Sequence, residues 1–194
     1  MNGNNKALSA KITNLLPKEF CQFYTHVLMM QSLKPKKHDP QVPDCLARLD
    51  HEIMFDTVLE RLWPTMESIV GEELLPTYAF SRLYTNGNIL EKHIDRPACE
   101  VSVTIQLGRS HHYSWPIYVG NDRYDLAEGD GVLYHGCDVE HWREKCDGPP
   151  GYYSGQLFLH YVRKNGEHSN HAGDAMNRRP PAFMKNRTYL MESK

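Results

Sequence analysis

Apolar positions recur at helical spacing early in the chain. Phe20, Phe23, Tyr24, Val27 and Leu28 follow i, i+3, i+4, i+7, i+8 and predict one buried helix face. Thr13 and Asn14 offer caps, and Pro17 suits a first helical turn. Lys34 to Asp44 carries three prolines and several charges and reads as a loop. Phe55, Val58, Leu59, Leu62 and Trp63 repeat the helical stripe, and Met66, Ile69 and Val70 extend it. Pro64 falls inside this second helix and is expected to kink or restart it, with Gly71 as the stop. The helices thus span about 17–70.

Beyond Pro76 the period changes to two. Thr77 to Tyr84 reads as a strand with Tyr78, Phe80, Arg82 and Tyr84 on one face. Asn86-Gly87-Asn88 is a turn. Glu100 to Leu107 alternates: Val101, Val103, Ile105 and Leu107 face one way, Glu100, Ser102, Thr104 and Gln106 the other. Trp115 to Val119, Val132 to His135 and Gln156 to Val162 are further strands, separated in part by Gly120-Asn121-Asp122 and Glu128-Gly129-Asp130-Gly131. Helices followed by many short strands predict an α+β, mainly β chain, a β-sandwich or jelly roll with the N-terminal helices on one sheet. The β-core runs over about 77–163. If Val101 to Leu107 packs on the helices, its polar face looks into the sandwich, and a lined cavity is a reason for that.

The remaining bulk properties narrow the class. A chain of 194 residues with a 40% hydrophobic share fits one domain, here 1–163. A net charge of -2 argues against a protein built to hold nucleic acid through phosphates. No run approaches the ~20 apolar residues that span a membrane. Met1 to Lys6 lacks the apolar core of a signal peptide, so a cytoplasmic protein is expected. Five cysteines, with no CxxC pair, argue against a disulfide framework or a thiolate zinc site. From about Lys164 the apolar pattern fades. Residues 164–194, with Arg178, Arg179, Lys185 and Arg187, read as an extended basic tail, a solvated arm rather than a lid.

The chemistry centres on His93-Ile94-Asp95. In an extended segment, residues i and i+2 project to one side, so an imidazole and a carboxylate are presented together. A second imidazole from a later strand would complete a two-histidine, one-carboxylate triad, a donor set that suits iron(II) with coordination positions left open. A three-residue motif is weak by itself, but its context strengthens it: a strand and an Asn-Gly turn before, an amphipathic strand after. His141 follows 48 residues after His93, beyond a Gly-Asp turn and a strand. His135, six residues earlier, and His160, within a strand, are the other imidazoles to weigh, as hydrogen-bonded or cavity-wall groups. His111 and His112 read as loop residues.

Arg82-Leu83-Tyr84-Thr85-Asn86-Gly87 leading to His93-Ile94-Asp95, then Val101 to Leu107, then Glu128 to Tyr134 and His141-Trp142-Arg143, resembles the 2-oxoglutarate- and iron(II)-dependent oxygenases, in particular their prolyl-4-hydroxylase-like branch. The resemblance covers roughly Pro17 to Val162 and implies a double-stranded β-helix. It implies His93, Asp95 and His141 as both metal ligands and catalytic centre, with His141 preferred over His135 by the order of elements. It also implies a reaction in which dioxygen and 2-oxoglutarate yield succinate and CO2 while an unactivated C–H bond is hydroxylated. In that branch a Lys or Arg about ten residues after the distal histidine holds the co-substrate's distal carboxylate. Here Asp147 to Tyr153 has no basic residue. Arg143 is the preferred substitute, with Arg82 and Arg109 as further candidates. Tyr84 matches a family tyrosine that bonds the co-substrate, and Gln106 and Thr104 on the inward face are further contacts. Trp115, Trp142 and Arg96 are candidates for the substrate mouth, with plain packing or solvation as the alternative.

Two other readings compete. One is a cupin-like metalloenzyme that does not use 2-oxoglutarate, supported by the missing basic residue. The other is a non-catalytic metal-binding module on the same scaffold. Within the oxygenase reading the substrate is a small molecule, peptide or protein, with a prolyl or other amino-acid residue as the nearest fit.

Overall fold

The computed structural model describes residues 9–35 and 38–174. The strands are β1 (Ser9–Ile12), β2 (Ala47–Asp50), β3 (Leu74–Thr85), β4 (Leu90–His93), β5 (Val101–Arg109), β6 (Ile117–Val119), β7 (Asp122–Tyr124), β8 (Gly131–Tyr134), β9 (His141–Arg143) and β10 (Tyr153–Arg163). Two helices, α1 (Lys18–Ser32) and α2 (Ile53–Val70), precede most of them. A six-stranded sheet has the order β1-β8-β5-β10-β3-β2, and a four-stranded sheet the order β4-β9-β6-β7. Every pairing is antiparallel, and the architecture is the expected jelly roll with helices on one sheet.

The large sheet is covered on one face by α1 and α2. Val101, Val103, Ile105 and Leu107 meet Leu28, Phe55, Leu59, Trp63 and Met66 there in one apolar cluster. The opposite face of β5, with Ser102, Thr104 and Gln106, is buried between the sheets, as the alternation predicts. The inner faces also carry Phe80, Tyr84, Trp115, Tyr152 and Phe158 at one end, and Ile117, Val119, Val132 and Tyr134 at the other.

Two helical expectations are corrected. The buried face of α1 is Cys21, Tyr24, Thr25 and Leu28, while Phe20 and Phe23 are 55% and 57% exposed. The cause lies in the sheet beneath. A Cβ on Gly108 would stand 2.6 Å from the Thr25 hydroxyl, and one on Gly155 3.5 Å from it. The two glycines leave a shallow groove into which Thr25 fits, its hydroxyl satisfied by the Cys21 carbonyl at 2.8 Å. That seating turns the two phenylalanines outward. The second correction is that α2 does not restart at Pro64 but continues as one helix to Gly71, the expected stop, which takes a left-handed φ of 77°. Burial of Phe55, Leu59, Trp63 and Met66 on β3 and β10 outweighs the missing N–H.

Residues 164–174 lie back on the domain. Lys164 pairs with Glu73, the Gly173 N–H meets the Pro76 carbonyl at 2.9 Å, and Asp174 pairs with Arg96. The basic residues Arg178, Arg179, Lys185 and Arg187 of the expected tail lie outside the described residues. No described helix is long and apolar enough to cross a membrane.

Candidate metal centre

The Asn86-Gly87 turn, with Gly87 at φ 85°, sends the chain from the large sheet into β4 of the small one. β4 ends on His93 and β9 begins on His141, and the two histidines are direct cross-strand partners. Ile94 points outward, so His93 and Asp95 share the inner side. The Asp95 backbone N–H donates to the Gly136 carbonyl at 2.8 Å, which fixes the carboxylate beside both rings.

Asp95 Oδ1 lies 3.6 Å from His93 Nε2 and 3.5 Å from His141 Nε2, and the ring centroids are 4.3 Å apart. Each ring is oriented from behind. His93 Nδ1 meets the Glu91 carbonyl at 2.7 Å, and His141 Nδ1 the Val139 carbonyl at 3.0 Å. A carbonyl only accepts, so both rings are held with a proton on Nδ1, and both Nε2 atoms, on the side of the carboxylate, are left as acceptors. Burial, and then the neighbouring His141, holds the His93 pKa below its usual range. Burial works against ionisation of Asp95, yet the surrounding histidines outweigh it and depress its pKa. Rings that hold their proton on Nδ1 and an ionised carboxylate offer the donor atoms a divalent cation needs. The donor set of two nitrogens and one oxygen fits iron(II).

These groups open on a cavity of about 260 Å³, whose walls include Gln41, Arg82, Arg96, Tyr134, Phe158 and His160. Ser102 Oγ lies 3.1 Å from Asp95 Oδ2 and 2.9 Å from His160 Nδ1. With the hydroxyl donating to the carboxylate, His160 donates from Nδ1. Its Nε2 is then a buried acceptor on the cavity wall with no partner among the described residues. Burial pushes the His160 pKa down to about 4, so the ring is neutral.

The other candidates divide. Arg96 lines the cavity, paired with Asp174. Trp115 and Trp142 do not line it: Trp115 is buried against Tyr84, and Trp142 stacks on Tyr118. His135 bonds to Arg163, and Arg109 bonds to the Leu126 carbonyl. Tyr84, Thr104, Gln106 and Arg143 are buried behind the lining rather than on it. Thr104 contacts Tyr134 at 3.1 Å, and Gln106 joins a network with Ser154 and Gln156. Tyr84 accepts from Arg82 Nη1 at 2.8 Å.

The two inner arginines differ in one decisive way. Arg82 has a carboxylate partner, Asp39, at 2.7 Å. Arg143 is 1% exposed and gives Nη1 to the Trp115 carbonyl, but among the described residues its Nε and Nη2 have no partner and no carboxylate pairs with it. Tyr84, Tyr134 and Tyr152 surround it. A buried cation with two idle donors is a ready receptor for an anion.

The architecture that carries this site matches solved structures over most of its length. It matches the collagen prolyl hydroxylase of Paramecium bursaria Chlorella virus-1, solved as a 2-oxoglutarate complex, with TM-score 0.62 at 10% identity over 82% of this chain and 98% of that one. It matches HygX of Streptomyces hygroscopicus, solved with nickel and 2-oxoglutarate, with TM-score 0.62 at 12% identity over 81% and 84%. The chain has the fold of the 2-oxoglutarate- and iron(II)-dependent oxygenases. A Pseudomonas putida prolyl-4-hydroxylase shares this oxygenase fold, with TM-score 0.59 at 12% identity over 82% and 94%. No protein-family model matches the sequence, and no curated protein does.

The sequence missed Asp39 and Gln41 in the Pro-rich loop: Gln41 lines the cavity, and buried Asp39 holds the loop beneath it. Asp39 accepts the Gln41 and Val42 N–H groups at 2.9 and 3.0 Å, and this local turn is the one signal that could have found them.

Proposed function

We propose that this chain is an iron(II)- and 2-oxoglutarate-dependent dioxygenase that hydroxylates an unactivated C–H bond, with succinate and CO2 as co-products. The observation that carries the reading is the convergence of His93 Nε2, His141 Nε2 and an Asp95 oxygen on one side of a cavity, within a fold shared with such enzymes. His93, Asp95 and His141 would hold the metal, which with 2-oxoglutarate supplies the oxidising chemistry when bound. The Glu91 and Val139 carbonyls keep both rings in the ligating tautomer. Ser102 holds the second oxygen of Asp95. Arg143 would anchor the distal carboxylate of 2-oxoglutarate, with Tyr84, Thr104 and Gln106 as polar contacts beside it. The two idle donors of Arg143 support this choice over Arg82, whose charge Asp39 already meets.

Arg96, Tyr78 and His160, all on the cavity wall, would face the substrate. That substrate would be a small molecule, peptide or protein, with a prolyl or other amino-acid residue as the nearest fit. His160 Nε2 would accept from an N–H or O–H of that substrate.

Calorimetry of the iron-loaded protein with 2-oxoglutarate under anaerobic conditions tests the co-substrate directly, and micromolar to sub-millimolar binding is expected. Absence of binding to a metal-loaded protein would favour the cupin-like or non-catalytic alternatives. Succinate formation should require iron and disappear in His93→Ala and Asp95→Ala. Turnover at wild-type rate in either variant would remove the triad.

A further inference from the structure

Gln41 approaches the centre from an unexpected side. Groups that support a histidine ligand ordinarily hold the ring nitrogen turned away from the ion. On His93 that nitrogen is Nδ1, held by the Glu91 carbonyl. The Gln41 amide nitrogen instead lies 2.9 Å from Nε2, the nitrogen that faces Asp95. Nδ1 carries the ring proton, so Nε2 accepts and the amide donates.

The amide is fixed from its other end. Gln41 Oε1 accepts from Arg82 Nη2 at 3.1 Å. Turning the amide over would set its NH2 against the guanidinium N–H groups, so its donor stays toward the metal centre. The loop beneath is fixed as well. Buried Asp39 accepts from the Gln41 and Val42 N–H groups, from Arg82 Nε at 2.7 Å, and pairs with Arg48 at 3.3 Å. The Gln41 side chain is thus a pre-oriented donor on the cavity wall. A donor in that position is repelled by a cation and attracted to an anionic oxygen beside it.

Resting on the metal-centre reading above, we infer that Gln41 is a positioning residue of that centre. Its N–H holds the His93 lone pair when the site is free, and it donates to a carboxylate-type oxygen ligand once His93 is engaged by the ion.

The test uses the full chain loaded with Co(II) and titrated with oxalate, followed by the visible cobalt spectrum. Oxalate offers carboxylate oxygens to the ion but has no distal carboxylate for Arg143, so the measurement isolates Gln41. Gln41→Leu should weaken oxalate by roughly ten- to a hundredfold, the scale of one hydrogen bond to a charged group. Its Co(II) affinity should hold or rise. Gln41→Glu, which sets a carboxylate beside the ion, should tighten Co(II) and weaken oxalate, each by about tenfold or more. Near-ultraviolet circular dichroism of each variant reports that the fold is retained. Oxalate affinity in Gln41→Leu within twofold of wild type overturns the inference, and so does a Gln41→Glu variant with both affinities unchanged. If wild-type protein takes up no Co(II), the metal-centre reading falls and this inference with it. Wild-type binding with unresponsive Gln41 variants removes this inference alone.

Discussion

Replacing Arg143 with methionine should stabilise the metal-free protein and strongly weaken co-substrate binding at the same time. In the fold the guanidinium is enclosed, with the Trp115 carbonyl as hydrogen-bond acceptor and the Trp115 ring 5.0 Å away. The carbonyl bond is worth about 1.5–3 kcal/mol and the ring contact about 2. Against these stand two unmet donors at about 1–3 kcal/mol each, and a charge-burial penalty of several kcal/mol with no carboxylate among the described residues to offset it. Burial lowers the Arg143 pKa, the same opposition to the charge expressed as proton affinity. Methionine is of similar length, leaves no donor unmet and suits the aromatic surroundings. Exchanges of buried charge for apolar groups of similar volume stabilise proteins by roughly 1–4 kcal/mol, and Arg143→Met should fall in that range. Urea denaturation of the metal-free protein measures this. Removing one partner of a buried charge pair costs about 2–5 kcal/mol, so 2-oxoglutarate should bind roughly 30-fold to several thousand-fold more weakly. Anaerobic calorimetry on Co(II)-loaded protein reads that number. A variant that is less stable than wild type, yet binds 2-oxoglutarate within threefold of it, would refute the reasoning: Arg143 would then be a structural cation satisfied by its neighbours.

Three further outcomes follow from the same geometry. A Cβ on Gly136 would meet the Cys99 carbonyl at 2.4 Å, Asp95 Oδ2 at 2.6 Å and Ser102 Oγ at 2.7 Å, so Gly136→Ala should cost about 1–3 kcal/mol and displace the carboxylate. Its Co(II) affinity, read by calorimetry, should fall at least about tenfold. His160 resists protonation down to about pH 4, whereas an unfolded histidine titrates near 6.5. The unfolded chain therefore binds the extra proton first, and stability is lost as pH falls from about 6.5 to 4. His160→Gln should remove roughly 3 kcal/mol of that loss, read as the difference between wild-type and variant urea curves at pH 7 and pH 4. An identical pH dependence in both proteins would show the ring free to protonate. Asp39→Asn should destabilise by about 3–5 kcal/mol, because Arg82 would keep its buried charge and lose its counter-charge. Near-neutral unfolding energetics in that variant would mean water reaches Arg82.

Much of this site was legible along the chain because its information is local. The i and i+2 projection of His93 and Asp95 is a property of extended backbone and survives in the fold. The inward turn of Ser102, Thr104 and Gln106 follows from alternation alone, once the apolar face of β5 has helices to cover it. What tertiary structure decided is everything set by partners distant in sequence. Two apolar stripes compete on α1, and only the glycine groove on β5 and β10 selects Thr25 over Phe20 and Phe23. The sequence contains three plausible arginines for an anion. Their difference lies in Asp39, 43 residues from Arg82, which meets the charge of one and leaves Arg143 with idle donors. Gln41 and His160 carry no spacing signal, since a loop amide and a strand imidazole acquire their roles from what faces them. Local periodicity determines which side of a strand a residue occupies, whereas charge satisfaction and packing are sums over neighbours that only the folded chain assembles.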